Sequence, residues 1–150
     1  MIEKAHYKDA TEIAKIIAKE FPYKNYTEKG LLERLNSGKV AIFKKTIGNS
    51  IAGFVEVEMK GNFGMINAIS VKEKYRKKGF GKELLSHAIF FLKASGVPFA
   101  RLLVKEQNKN AKNLYVLHGF SLSKIHDRKI EGSIVEVWEK NLQEEEEYLN

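Results

Sequence analysis

A chain of 150 residues with 43% apolar and 11% aromatic side chains is long enough to bury one core, and no stretch of it is polar enough to stay disordered. It contains no cysteine, which excludes disulfides, thiolate metal sites and a cysteine acyl-enzyme, and no apolar run approaches the roughly 18–20 residues of a membrane-spanning helix. The net charge of +7 points to an anionic partner, and the lack of a basic-then-apolar leader predicts a cytoplasmic protein with no membrane association.

The elements follow from hydrophobic period and punctuation. After a short strand from Ile2, "DATEIAKIIAKEF" has Asp9 as a candidate N-cap with Glu12 three residues on. Ala10, Ile13, Ala14, Ile17 and Phe21 then share one helical face. "TEKGLLERLNSG" predicts a second helix that stops at Gly38. "KVAIFKKT" and "IAGFVEVEMK" alternate as strands around the turn "IGNS", and "FGMINAISV" gives another. "GKELLSHAIFFLKASG" carries the stripe Leu84, Leu85, Ala88, Ile89 and Leu92 of a helix ended by Gly96 and Pro98. "FARLLV" is a strand, "NKNAKNLYVLHGF" a short helix, and "FSLSKIH" and "SIVEVWEKNL" a strand pair across "DRKIEG".

The order β-α-α-β-β-β-α-β-α-β-β predicts an α+β fold with a mixed, mostly antiparallel sheet of about seven strands flanked by four helices. One parallel crossover is required, in the strand–helix–strand unit around Gly79 to Val104. A single domain is expected over 1–142, followed by a solvated acidic tail at 143–150.

Charge is concentrated in one loop. Between Lys72 and Lys82 lie Lys74, Arg76, Lys77 and Lys78 as well, opposed only by Glu73, and Gly79 and Gly81 interrupt the run. The loop joins the end of a strand to the start of a helix, where unpaired N–H groups and the helix dipole attract anions and glycine lets a phosphate approach. DNA, RNA and a polyphosphate cofactor all satisfy that chemistry, and a plain solvated loop is the alternative. Glu83 stands where a Walker loop needs Ser or Thr, and Leu84 where a dinucleotide fingerprint needs its third glycine, so neither motif is present. His6, His87, His118 and His126 have no metal-ligand spacing, and no metal is expected.

"RKKGFG", Arg76 to Gly81, resembles the Arg/Gln-x-x-Gly-x-Gly/Ala loop of the GNAT superfamily of N-acetyltransferases. "NKNAKNLYVLHGF" resembles that superfamily's later pattern at Asn108, Ala111, Leu114, Tyr115, Gly119 and Phe120, and the element order agrees from Ile2 to about Leu142. The resemblance implies a GNAT-type fold and acetyl-coenzyme A as co-substrate. Its pyrophosphate would sit on Arg76, Lys77, Lys78, Gly79, Phe80, Gly81 and Lys82, and its pantetheine arm along the backbone of Ile69 and Val71, with Asn108 and Ala111 alongside. It implies direct attack of a primary amine on the thioester in a ternary complex, an oxyanion donor at the Val71 N–H, and Tyr115 as the acid for the leaving thiolate.

At position 103, where related protein N-terminal acetyltransferases often carry a glutamate, this chain has leucine. Glu56 and Glu58 are the candidate bases, since strand alternation puts both on one face; a solvent-facing strand surface, a water relay or no dedicated base are the alternatives. The acceptor, a peptide N-terminus, lysine, polyamine or small metabolite, would enter past Phe21, Tyr23 and Tyr26. A non-catalytic acetyl-coenzyme A sensor and a basic nucleic-acid-binding module are the competing readings. The nucleic-acid reading is disfavoured because only Tyr75 and Phe80 lie beside the basic patch. A monomer or homodimer is expected.

Overall fold

A computed structural model describes residues 1–24 and 26–143, so all but the first residue of the expected acidic tail lies outside the described residues. Seven strands form one sheet: β1 (Ile2–Lys4), β2 (Val40–Ile47), β3 (Ser50–Met59), β4 (Gly64–Val71), β5 (Phe99–Lys105), β6 (Ser121–Ile125) and β7 (Val135–Asn141), in the spatial order β1-β2-β3-β4-β5-β7-β6. Only β4 and β5 run parallel; every other neighbouring pair is antiparallel. The parallel pair is the one that the connecting helix demands. The last two strands do pair as a hairpin, but β7 lies inside it against β5 and leaves β6 as an exposed edge.

Four helices cover both faces: α1 (Ala10–Glu20), α2 (Glu28–Asn36), α3 (Phe80–Ala94) and α4 (Lys109–Leu117). α1 buries Ala10, Ile13, Ile16 and Ile17, the one-sided spacing that makes an amphipathic helix stable only against a partner. With Leu31 of α2 these pack on Ile42, Phe54 and Ala68. On the other face Leu84, Leu85, Ala88 and Leu92 of α3 meet Val55, Val57, Ile66 and Leu102. β3 therefore sends alternate residues into two cores, and both of its faces are dry.

Two local expectations change. Asp9 does not cap α1 with its side chain; its carboxylate accepts from the His6 N–H at 2.9 Å and from Lys44 Nζ at 2.8 Å, fixing the 3-10 turn that precedes the helix. Glu12, expected to complete that cap, instead accepts from the Ile51 N–H at 3.1 Å and Lys72 Nζ at 3.0 Å, and so ties α1 to the ends of β3 and β4. Thr27, by contrast, caps α2 through the Gly30 N–H at 3.0 Å. No helix among the described residues is long and apolar enough to cross a membrane.

Candidate active site

The site begins with a defect in the sheet. β4 and β5 pair only over Gly64–Ile66 and Ala100–Leu102. Beyond that point β4 stays zipped to β3 as far as Val71, and β5 stays zipped to β7 as far as Lys105, so the two strands separate from each other alone. The parting starts at an extra residue in β4: Glu56 pairs with Ala68 and Val57 with Ile66, which leaves Asn67 as a bulge. A bulge re-aims its strand and ends pairing, and this one sits where the gap opens.

The backbone in the gap has a defined direction. The Lys72 N–H donates to the Ala52 carbonyl on β3 at 2.8 Å. Amide groups alternate sides along a strand, so those of Val71 and Ile69 turn away from β3 and face the gap. Two side chains already use carbonyls on that edge: Arg76 Nε donates to Val71 O at 2.8 Å, and Lys24 Nζ donates to Asn67 O at 2.9 Å.

Between the strands lies a cavity of about 540 Å³. Of the residues singled out from sequence, Ile69, Val71, Arg76, Gly81, Asn108, Ala111 and Tyr115 line it. A second cavity of about 330 Å³ shares Val71, Arg76, Gly81 and Ala111 with the first and adds Lys77, Gly79 and Phe80. The two form one trough that runs from the basic loop to the bulge. Lys78 and Lys82 are exposed and line neither part.

The basic loop has the geometry of an anion cradle. Gly79 is the N-cap of α3 at φ 85°, with no side chain capping the helix start, and Lys77 two residues earlier is also left-handed at φ 64°. The first-turn N–H groups are thus left to a ligand. A Cβ on Gly79 would meet nothing within 4 Å, so the space above it is open. The diphosphate of coenzyme A fits this site on those grounds. Arg76 does not point freely into it; its guanidinium also bonds Glu20 Oε1 of α1 at 3.1 Å, the nearest compensating carboxylate.

Tyr115 sits on α4 because Asn108 starts that helix, accepting from the Ala111 N–H at 3.2 Å, and Tyr115 follows two turns later. The ring is buried against Phe120. Burial pushes the phenol up to about 12, with a smaller contribution from nearby Tyr23, so its proton is held throughout the neutral range. Its hydroxyl has no hydrogen-bond partner among the described residues.

Glu56 and Glu58 are placed differently from the cavity residues. Glu56 is 0% exposed, which removes the expectation of a solvent-facing surface, because α1 and α2 together pack on that face of the sheet. Its carboxylate accepts from Arg34 at 2.6 Å and from Asn67 Nδ2 at 2.8 Å, and the same Asn67 amide donates to Glu58 at 2.9 Å. Neither glutamate lines the cavity. Together they anchor the bulge from behind.

Sequence reading passed over Asn67 and Lys24. The one amide in the otherwise apolar run "GMINAISV" was a signal for Asn67, whereas Lys24 in "PYKNY" carried none. The outer end of the cavity is lined by Tyr23 and Lys24 from the segment after α1, and by Ile130 and Glu131 from the segment between β6 and β7. Lys105 links the two, pairing with Glu131 at 2.6 Å and lying 5.5 Å from the Tyr23 ring centre. Of the expected entrance aromatics, Tyr26 instead packs under Arg34, 3.9 Å from its guanidinium carbon.

The family model of the acetyltransferase (GNAT) family matches residues 8–120. Among solved structures, the ribosomal-protein-S18-alanine N-acetyltransferase from Escherichia coli is 22% identical at a TM-score of 0.81, covering 100% of this chain and 98% of its own. The PaiA N-acetyltransferase from Thermoplasma acidophilum, solved in complex with coenzyme A, is 22% identical at 0.77, covering 94% and 98%. NAA60 from Arabidopsis thaliana, solved with a bisubstrate analogue, is 18% identical at 0.79, covering 94% and 97%. These likenesses are of fold. No curated protein matches the chain.

Proposed function

The chain belongs to the acetyltransferase (GNAT) family, whose acetyl donor is acetyl-coenzyme A, and from that premise we propose that it acetylates a primary amine by direct attack on the thioester, with Tyr115 as the acid for the departing sulfur. The observation that carries this reading is the parted pair β4 and β5, with a protonated phenol on the wall of the gap and an anion cradle at one end.

The roles follow from position. First-turn N–H groups of α3, helped by Arg76 once it leaves Glu20, hold the diphosphate. The edge of β4 at Ile69 and Val71 offers the pantetheine arm the partners that β5 no longer supplies, which is strand addition inside a sheet. A gap-facing N–H on the β4 edge, toward the bulge at Asn67 where the thioester lies, serves as the oxyanion donor. Tyr115, holding its proton, donates it to the thiolate as the C–S bond breaks. Glu56 and Glu58 are committed to Arg34 and Asn67, so the attacking amine loses its proton to water in the open cavity. The acceptor enters between Tyr23 and Glu131.

Coenzyme A, DNA and RNA compared for stabilisation of the fold test the binding half, and only coenzyme A is expected to raise the melting temperature. Acetyl-coenzyme A with peptide N-termini, free lysine, polyamines and small amine metabolites, read by mass, identifies the acceptor. Transfer to none of these amines by a protein that binds coenzyme A would overturn the proposal.

A further inference from the structure

We infer that Lys24 is an internal acetyl acceptor, its amine held at the acyl end of the trough so that the protein acetylates itself when no external amine is present. The inference rests on the reading of the trough given above and adds a modification site within it.

The argument is one of direction. Asn67, Ile69 and Val71 present backbone groups to the same gap, with Arg76 bonded at Val71 O and Lys24 bonded at Asn67 O. At about 3.3 Å per residue the four steps from Asn67 to Val71 span about 13 Å. Arg76 adjoins the phosphate cradle, so an arm anchored there by its phosphates carries its thioester away from Arg76 and toward Lys24. Tyr115 lines the same cavity.

Lys24 is also the amine in this cavity that is chemically free to react. Arg76 is a guanidinium paired with Glu20, and Lys105 is paired with Glu131. Lys24 Nζ bonds a neutral carbonyl and lies 5.6 Å and 5.7 Å from the ring centres of Phe21 and Tyr26, with no carboxylate at ion-pair distance among the described residues. Burial lowers its pKa below that of an ordinary lysine; Glu56 opposes the shift and Arg34 adds to it. A larger fraction is therefore the neutral nucleophile.

The step balances without a further reagent. The unprotonated Nζ attacks the thioester carbonyl carbon, the C–N bond forms as the C–S bond breaks, and the sulfur leaves with its electron pair and takes the Tyr115 proton. The proton shed by nitrogen passes to water, and water reprotonates the phenol. The products are Nε-acetyl-Lys24 and free coenzyme A.

The full chain is incubated with acetyl-coenzyme A alone, and acetylation is followed by intact mass and peptide mapping. Lys24 is expected to be acetylated at least about tenfold faster than exposed Lys15 and Lys19, since a held amine outpaces one that must diffuse. The rate constant is expected to be independent of protein concentration, the fast adduct to vanish in Lys24→Arg, and its rate to fall in Tyr115→Phe. Labelling of Lys24 no faster than Lys15 and Lys19, or at a rate that rises with protein concentration, overturns the inference. If coenzyme A still raises the melting temperature and an external amine is still acetylated, the proposed function survives that loss. If coenzyme A does not bind at all, the proposed function fails first and the inference falls with it.

Discussion

Tyr115 is the residue whose environment most constrains the chemistry. Replacing it with phenylalanine keeps the packing on Phe120 and removes only the proton donor, so kcat is expected to fall about 100-fold with coenzyme A affinity unchanged, measured by steady-state kinetics and titration. Because burial holds the phenol at about 12, no loss of rate from its ionisation is expected across the alkaline range up to pH 10. The fully buried Glu56 behaves in the opposite way, as a charge that must stay paired. Arg34→Met is expected to cost about 3 kcal/mol in denaturant melts, and Glu56→Gln added to it to recover much of that loss, because a buried carboxylate suffers most when its cation is removed. Asp9 sets an acid limit. Burial raises its pKa, but the bonds from Lys44 and the His6 N–H outweigh that and leave it below the ordinary carboxylate value. A depressed pKa contributes stability that is full above the unfolded value of 3.8 and lost as pH falls through the folded one. Asp9→Asn should flatten that acid limb of the stability curve. At this scale the resemblance of two short motifs to those of the GNAT superfamily marked Tyr115, Asn108 and Gly79. It could not mark Lys24, whose role depends on a carbonyl 43 positions away.

Among the elements, the parted strands and the loop beyond them matter most. A Cβ on Gly53 would lie 2.5 Å from Ser70 O, a backbone atom that cannot turn aside, so β3 and β4 approach there only because position 53 is glycine. Gly53→Ala is expected to cost about 2 kcal/mol and to weaken coenzyme A binding together with stability, since Val71 moves with Ser70. Gly79→Asp tests the cradle apart from the core. It adds an anion and a Cβ in open space but at φ 85°, a left-handed backbone that costs an L-residue about 1 kcal/mol, so the melting temperature should fall modestly while stabilisation by coenzyme A disappears. Helices and strands were legible here because each is one period of apolar residues, as the α3 stripe from Leu84 to Leu92 shows. The bulge at Asn67 was not, because a bulge is a mismatch between two strands and exists in neither one separately.

For the molecule as a whole, coenzyme A at 100 times its dissociation constant should add about 2.7 kcal/mol of stability, read as a rise in unfolding midpoint, because the trough exists only when sheet, α3 and α4 are assembled. The order of elements and a basic glycine loop marked the fold and a phosphate-binding turn, and the resemblance of the loop and helix motifs to those of the GNAT superfamily implied the co-substrate. They did so because hydrophobic period and an anion-binding turn are local properties carried by neighbouring residues. Tertiary structure decided the rest: that Glu56 is buried and paired with Arg34 of α2 behind the cavity wall, that Arg76 is held by Glu20, and that Lys24 reaches the mouth of the gap. Each of those depends on which distant surfaces meet, and a side chain's charge, exposure and partner are set by that meeting, not by its neighbours along the chain.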